Sequence, residues 1–378
     1  MNPFIIREYK GKRYFCDREK ETKSIIGALQ NGRDITLVSL RKMGKTGLIM
    51  HTFEELKKKN RFATIYLDIY STENLKGLIN QLGTSLFRMK KTFGEKMEEF
   101  LHSFRYVRPI VSIDQLTGFP SVSFMIADEK EARNTLEELF DLLCERAKKI
   151  PIVIAIDEFQ QIGNYPEKNI EAMIRGMIQT LSNVRFIFSG SNRTILTRMF
   201  QDATQPFYQS TDMLYLVEID QPIYEKFIKA QFIKHSLQVE EGVITELLIW
   251  CRCHTWYVQY VCNKLYETGK NISKENYTSV QREILTNREP FYLEHRSMLT
   301  RHQWQLIKAI ARSDGANMIT SGSFIKQNDL SNASTIKRGI ESLLQKEMIF
   351  KKNENFYVYD VFFSRWLEMR IDPPKGTT

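Results

Sequence analysis

Cysteine is scarce in this sequence and odd in number: five residues in 378. Cys16, Cys144 and Cys262 sit inside apolar patterns and read as small core residues. Cys251 and Cys253 form a C-x-C beside His254, but no second Cys/His pair follows at ligand spacing, which argues against a zinc site. The expectation is a reducing, cytoplasmic compartment. Long apolar runs are also missing. None approaches the roughly 18 residues needed to span a bilayer, and the opening "MNPFIIREYKGKRYF" does not read as a signal peptide, so no membrane partner is expected. There is no internal repeat or low-complexity tract, and no N-K-x-D motif of the kind that reads guanine.

What is present is a folded, multidomain composition, 42% hydrophobic and 26% charged. The formal charge is +9, with a pI near 9.1. That balance favours an anionic partner (nucleotide, nucleic acid or acidic protein); a plain solvated basic surface accounts for it equally well. Over roughly the first 215 residues, apolar strand-like runs alternate with amphipathic helical stretches. "DITLVSL" (34–40), "RFATIYLDIY" (61–70), "IPIVIAIDEF" (150–159) and "NVRFIFSGS" (183–191) are the strands, and "GLIMHTFEELKKK" and "TENLKGLINQLGTSLFRMKK" read as helices. This alternation predicts a parallel sheet with helices on both faces. A β-hairpin is expected at about 108–126, where two alternating runs flank "LTGFP". The expected organisation is a core over 1–215, a small helical domain over 216–298 and a third unit over 299–378, ending in a frayed "DPPKGTT" tail.

Glycine is missing at one telling position. "SLRKMGKT" (39–46) ends like a phosphate-binding loop, G-x-x-x-x-G-K-[ST], but Ser39 stands where the first Gly belongs. Ser costs little there if φ is negative and is penalised if φ is positive. The loop follows a strand and precedes a helix, the context in which backbone amides and the helix dipole cradle phosphate. Ser39, Arg41, Lys42, Met43, Gly44, Lys45, Thr46 and Gly47 are therefore candidate nucleotide contacts. Lys45 would reach the β- and γ-phosphates, and the Thr46 hydroxyl would hold Mg²⁺.

The most apolar strand ends in two carboxylates, 112 residues downstream of Lys45. An acid pair leaving a buried strand is costly unless compensated, and a magnesium triphosphate would compensate it. Asp157 would bind the metal and Glu158 would activate the attacking water. After "FIFSGSN", Ser191 and Asn192 are candidates for sensing the γ-phosphate or that water; an ordinary strand-end turn is the competing reading. Arg175, Arg193 and Arg198 could each supply a charge-stabilising guanidinium, in cis or from a neighbouring subunit, which leaves oligomerisation open.

Together these residues resemble the archaeal/bacterial ATPase family, in the STAND branch of AAA+-type P-loop NTPases. The resemblance covers nearly the whole chain. It is carried by "YFCDREKE" (14–21), "RKMGKTGLI" (41–49), "LDIYSTENL" (67–75), "AIDEFQQI" (155–162), "FIFSGSN" (186–192), "CHTWYVQ" (253–259) and "YDVFFSRWL" (359–367). It implies an α/β P-loop NTPase (AAA+/STAND-like) core, a helical lid and a C-terminal winged-helix domain, with ATP preferred to GTP. It also implies that Phe15, Arg18 and Glu19 lie near the base or ribose, and that the "HTWY" lid segment closes over the nucleotide through His254. Cys253 and Thr255 replace the Gly and Pro often found there. Trp256 is expected in ordinary helix–helix packing.

The last unit reads as a winged helix: "TRHQWQLIKAIARS", a short "SGSFIKQNDL" helix, "STIKRGIESLLQKEM" after a capping "SNAS", and two strands around "KNEN". Lys337, Arg338, Lys351 and Lys352 would meet the phosphates of double-stranded DNA. Residues 301–378 hold 12 basic and 8 acidic residues, a modest excess for a DNA binder. A clamp within the chain or a protein contact is the alternative use of such a module.

The expected function is an ATP- and Mg²⁺-dependent switch ATPase that hydrolyses slowly and moves its winged helix through the lid. Two rivals stay open. One is a DNA-binding protein whose nucleotide site only regulates it. The other is a protein-interaction scaffold that binds ATP or ADP without hydrolysis.

Overall fold

Apolar runs that are buried on both faces must be covered by helices on both sides, and the chain builds this arrangement. A computed structural model describes residues 2–58, 62–115 and 117–369; the "DPPKGTT" tail lies outside them. The chain divides into two compact units. One is Arg7–Val217; the other joins the N-terminal stretch up to Ile6 with everything from Glu218.

The first unit contains β1 (Ile35–Val38), β2 (Ala63–Asp68), β3 (Pro109–Ile113), β4 (Pro120–Phe124), β5 (Ile152–Asp157), β6 (Val184–Gly190) and β7 (Asp212–Tyr215). Five of these form a sheet in the order β2-β5-β6-β1-β7, with every pair parallel. All six residues of β5 and all four of β1 are buried. The helices of this unit are α1 (Glu19–Gln30), α2 (Lys45–Lys58), α3 (Leu75–Met89), α4 (Met97–His102), α5 (Glu129–Lys149), α6 (Ile170–Thr180) and α7 (Arg193–Gln201). Side-chain caps start several of them. Asn74 accepts from the Gly77 amide and Asp128 from the Glu131 amide, each satisfying a backbone donor that the helix leaves open.

The hairpin β3–β4 pairs from Pro109↔Phe124 to Ile113↔Pro120 and packs on α3. Gly83 of α3 faces the Phe124 ring so closely that a Cβ would stand 2.7 Å from it. Asn80 and Thr84 of α3 accept the Phe124 and Val122 amides, each at 2.9 Å. Behind this insertion, Arg146 of α5 is 1% exposed. It donates to the Leu86 carbonyl at 2.7 Å and forks onto Glu95; the pairing makes its burial tolerable.

The second unit starts with α8 (Gln221–Lys234), α9 (Val243–Trp250), α10 (Thr255–Glu267) and α11 (Lys274–Ser297). The helix α11 runs through Pro290 and ends at Ser297, within the stretch expected to be helical. Its buried Tyr292, against Phe363 and Trp366, supplies packing that outweighs the local cost of proline. Then follow α12 (Arg301–Arg312), α13 (Gly322–Gln327), α14 (Ala333–Gln345), the hairpin β8 (Ile349–Lys352) and β9 (Asn355–Val358), and α15 (Val361–Met369). This is a winged helix with a terminal helix packed back on α11 and α12. Arg252, 15% exposed in its side chain, donates to Asp314, the Val358 carbonyl and Ser364. Arg365 donates to Asp314, Glu368 and the Trp250 carbonyl. Residues 2–6 join this unit through Asn2 and Asn263, which exchange hydrogen bonds with backbone carbonyls, and through Phe4, whose ring lies 4.7 Å from that of Phe232.

Candidate functional site

The loop between β1 and α2 resolves the question posed by Ser39. Lys42 and Gly44 take left-handed φ values of 63° and 93°, whereas Ser39 does not, so no glycine is required at 39. Ser39 is 1% exposed and donates to the Leu40 carbonyl. Met43 is buried beneath the loop, while Arg41, Lys42 and Thr46 are exposed. Lys45 opens α2, and its Nζ is 3.3 Å from Glu158 Oε1 and 3.8 Å from Asp157 Oδ1. Both Lys45 and Asp157 are more than nine-tenths buried.

Asp157 has a full set of donors. Thr46 Oγ1 donates to Oδ2 at 3.2 Å and the Tyr66 hydroxyl to the same atom at 2.8 Å. Ser189 Oγ and the Glu158 amide donate to Oδ1 at 2.6 and 3.0 Å. Burial pushes this carboxyl up, but the Lys45 ammonium and these hydrogen bonds outweigh burial and hold it below the ordinary carboxylate value. Asp68, opposite Asp157 in the β2–β5 register, goes the other way: burial and the nearby Asp157 and Glu158 raise it, against its bond from the Tyr70 amide.

Glu158 sits in a left-handed backbone conformation, φ 57° and ψ 39°, which turns its side chain at the strand exit. Its Oε2 accepts from Ser191 Oγ at 2.8 Å and Gln160 Nε2 at 2.6 Å. Asn192, the other candidate for a sensing role, caps α7: its Oδ1 accepts the Ile195 amide at 3.1 Å. The structure therefore gathers Lys45, Thr46, Asp157, Glu158 and Ser191 at one place. It adds Tyr66, Ser189 and Gln160, which the sequence reading did not single out.

Phe15 lies beside the first turn of α2, where a Cβ on Gly47 would be 3.4 Å from its ring. It stacks on His51 at 4.7 Å, and His51 in turn meets the Tyr9 hydroxyl at 2.7 Å. Arg18, expected near the base or ribose, is 4% exposed. It donates to Glu21 at 2.8 Å and to the Val217 carbonyl at 2.6 Å. Glu19 is the first residue of α1.

A family model described as an ATPase domain predominantly from Archaea matches residues 15–241. The chain belongs to this ATPase family. A second model, described as a probable winged helix domain, matches residues 290–369. Among solved structures, the Walker-type ATPase PABY2304 of Pyrococcus abyssi is similar at TM-score 0.69 and 15% identity, over 97% of this chain and 99% of that one. The Aeropyrum pernix ORC2 protein, solved with ADPNP and ADP, gives 0.56 and 12% over 97% and 96%. Cdc6p from Pyrobaculum aerophilum gives 0.51 and 12% over 98% of both chains. At such identities these neighbours support the fold. No curated protein matches. The ATPase thus has an α/β P-loop ATPase core followed by a winged helix, and none of its described helices is long and apolar enough to cross a membrane.

In the ATPase's second unit, His254 is 6% exposed at the N-cap of α10, its ring 4.8 Å from that of Tyr257. Trp256 stacks on Tyr260 at 5.0 Å, with Arg288 over its ring, which is helix packing. Lys337 and Arg338 are exposed on α14. Lys351 pairs with Glu354 and Lys352 with Glu218, both at 2.7 Å. Of the three arginines considered as fingers, Arg198 lies 3.8 Å from Asp202 and is 70% exposed; Arg175 and Arg193 are half-buried on α6 and α7.

Proposed function

We propose that this ATPase binds Mg²⁺–ATP on the loop at 39–46 and hydrolyses it slowly, as a STAND-type switch whose nucleotide state sets the disposition of its winged helix. The observation that carries the reading is the buried Lys45 ammonium facing both Asp157 and Glu158, with the Thr46 hydroxyl on Asp157. The donor set fits the ion: a hydroxyl and a carboxylate oxygen side by side are the hard ligands magnesium takes, completed by phosphates and water. Thr46 and Asp157 would hold the metal, which would screen the phosphate charge. Lys45 would pass from the acid pair to the β- and γ-phosphates, and the open amides at the start of α2 would take the rest of the negative charge. Glu158 would orient and polarise the attacking water. Phe15, against Gly47 and His51, would border the base, and Ser39, Arg41, Lys42 and Met43 would shape the loop.

Glu158→Gln tests this. It should keep ATP binding by calorimetry while phosphate release falls ~10²–10⁴-fold. Unchanged release would overturn the assignment and leave a nucleotide-binding scaffold.

A second reading, duplex DNA binding by the winged helix, is favoured by the exposed Lys337 and Arg338 on α14. Binding that weakens with salt, survives Lys45→Ala and is lost in Lys337→Ala/Arg338→Ala would support it. Indifference to the Lys337/Arg338 pair would sink it. The ion pairs of Lys351 and Lys352 make those two the weaker phosphate contacts.

A further inference from the structure

The Glu158 carboxylate is more tightly held than a water-polarising group needs to be by chance. Its Oε2 receives three donors: Ser191 Oγ at 2.8 Å, Gln160 Nε2 at 2.6 Å and the Ser191 amide at 3.4 Å. Its Oε1 faces only the Lys45 ammonium among the described contacts, at 3.3 Å. One oxygen is saturated and the other is left toward the phosphate loop.

Gln160 is itself fixed from both sides in sequence. Phe159 packs against Phe188 and Phe207 at ring distances of 4.5 and 5.2 Å. Gln161 donates to the Thr72 carbonyl at 3.0 Å. The turn that carries Gln160 is thus anchored in the core, and its amide has few alternatives. Charge sets which way the amide points, because the reverse orientation would bring two acceptor oxygens together. The remaining Oε1 is buried with no hydrogen-bond partner. It lies where the Cβ of residue 190 would be: a Cβ built on Gly190 stands 2.0 Å from it. No side chain at 190 is compatible with this placement of Gln160.

We propose that Gln160 and Ser191 are positioning residues for Glu158, and that Gly190 is glycine to admit Gln160. The two donors hold Oε2, so Oε1 alone is presented to the water that attacks the terminal phosphate. The Ser191 hydroxyl is then spent on the glutamate rather than on phosphate. This inference rests on the reading of Glu158 given above.

The test compares Gln160→Leu, Gln160→Glu, Gln160→Ala, Gly190→Ala and Gly190→Ala/Gln160→Ala with the parent and with Glu158→Gln. Gln160→Leu should lower kcat by ~10-fold or more while KM and the ATP affinity by calorimetry stay within ~2-fold, because the lost contact orients a group and binds nothing. Gln160→Glu sets two carboxylates against each other, so the acid limb of the pH–rate profile should move upward by ~1 pH unit. In nucleotide-free protein, Gly190→Ala should lower the thermal midpoint by ~2–4 °C or more, and adding Gln160→Ala should restore most of that loss, since the two changes share one contact. If Gln160→Leu keeps the parental kcat and Gln160→Glu the parental profile, the proposal is overturned. It is also overturned if the Gly190 and Gln160 midpoint losses simply add. A Glu158→Gln variant with parental hydrolysis would instead refute the underlying assignment, whatever Gln160 does.

Discussion

Asp157, buried, and Asp34, half-buried, are carboxylates at opposite ends of the same parallel sheet, and they titrate in opposite directions. Asp157 closes β5 and is held below the ordinary carboxylate value, because Lys45, Ser189, Tyr66 and the Glu158 amide together outweigh burial. Asp34 precedes β1 and accepts the Phe186 amide at 2.8 Å. Burial pushes it up to about 6, with that amide, Arg185 and Arg175 opposing too weakly. The more deeply buried of the two is thus the readier anion, and the half-buried one the reluctant acid. What separates a site from a structural carboxylate here is the number and charge of the donors, which is set by what the neighbouring strands deliver.

The largest test is to turn the first acid into the second. Lys45→Met should abolish detectable ATP binding by calorimetry and cut phosphate release by at least ~10²–10³-fold, the scale for losing a preorganised charge. It should also cost the nucleotide-free protein ~3 kcal/mol near pH 8, since Asp157 is left buried without its counter-charge. The pH dependence should reverse. In the parent, the Asp157 value lies below its unfolded value, so its stabilising contribution is present above about pH 4 and is lost as pH falls through the folded value. In Lys45→Met burial dominates, and stability should improve on acidification. Urea midpoints between pH 4.5 and 8 read this out.

Asp34→Asn probes the other end. The parental carboxyl is raised in the fold, so the native state favours its proton, and stability is lost as pH climbs from about 4 to about 6. The asparagine can still accept the Phe186 amide. It should therefore stabilise the protein by up to ~3 kcal/mol at pH 8, with the gain vanishing near pH 4. A pH-independent effect would show that Asp34 does not titrate as proposed.

The smallest effects come from thinning the Asp157 donor set. Tyr66→Phe and Ser189→Ala should each cost ~1–1.5 kcal/mol. Their double variant should depart from additivity because both act on one carboxylate.

The loop and the acid pair were legible because each is local: G-K-T between a strand and a helix, and D-E at the end of an unbroken apolar run. Tyr66 and Ser189 were not, because they sit inside strands that read as hydrophobic patterning. Their importance depends on β2 and β6 flanking β5, a fact of strand order rather than of spacing. Gln160 was visible only as part of a family signature, since its role needs the left-handed turn at Glu158 and the bare backbone at Gly190. That Asn192 also caps α7 was not legible, because it depends on where the helix after β6 begins. The course of α11 through Pro290 was not specified by the sequence, because tertiary packing around Tyr292 overrides the local rule for proline.

The insertion of β6 between β1 and β5 also works as a gauge. Adjacent strands stand about 4.8 Å apart, so the cradle after β1 and the acids after β5 are set about 10 Å apart by backbone hydrogen bonding alone. Side chains close that interval: Thr46 and Lys45, from the first turn of α2, come within 3.2 Å of Asp157 and 3.3 Å of Glu158. The sheet thus fixes the span these two side chains must cross, and shortening Lys45 would part the loop from the acids without moving a strand.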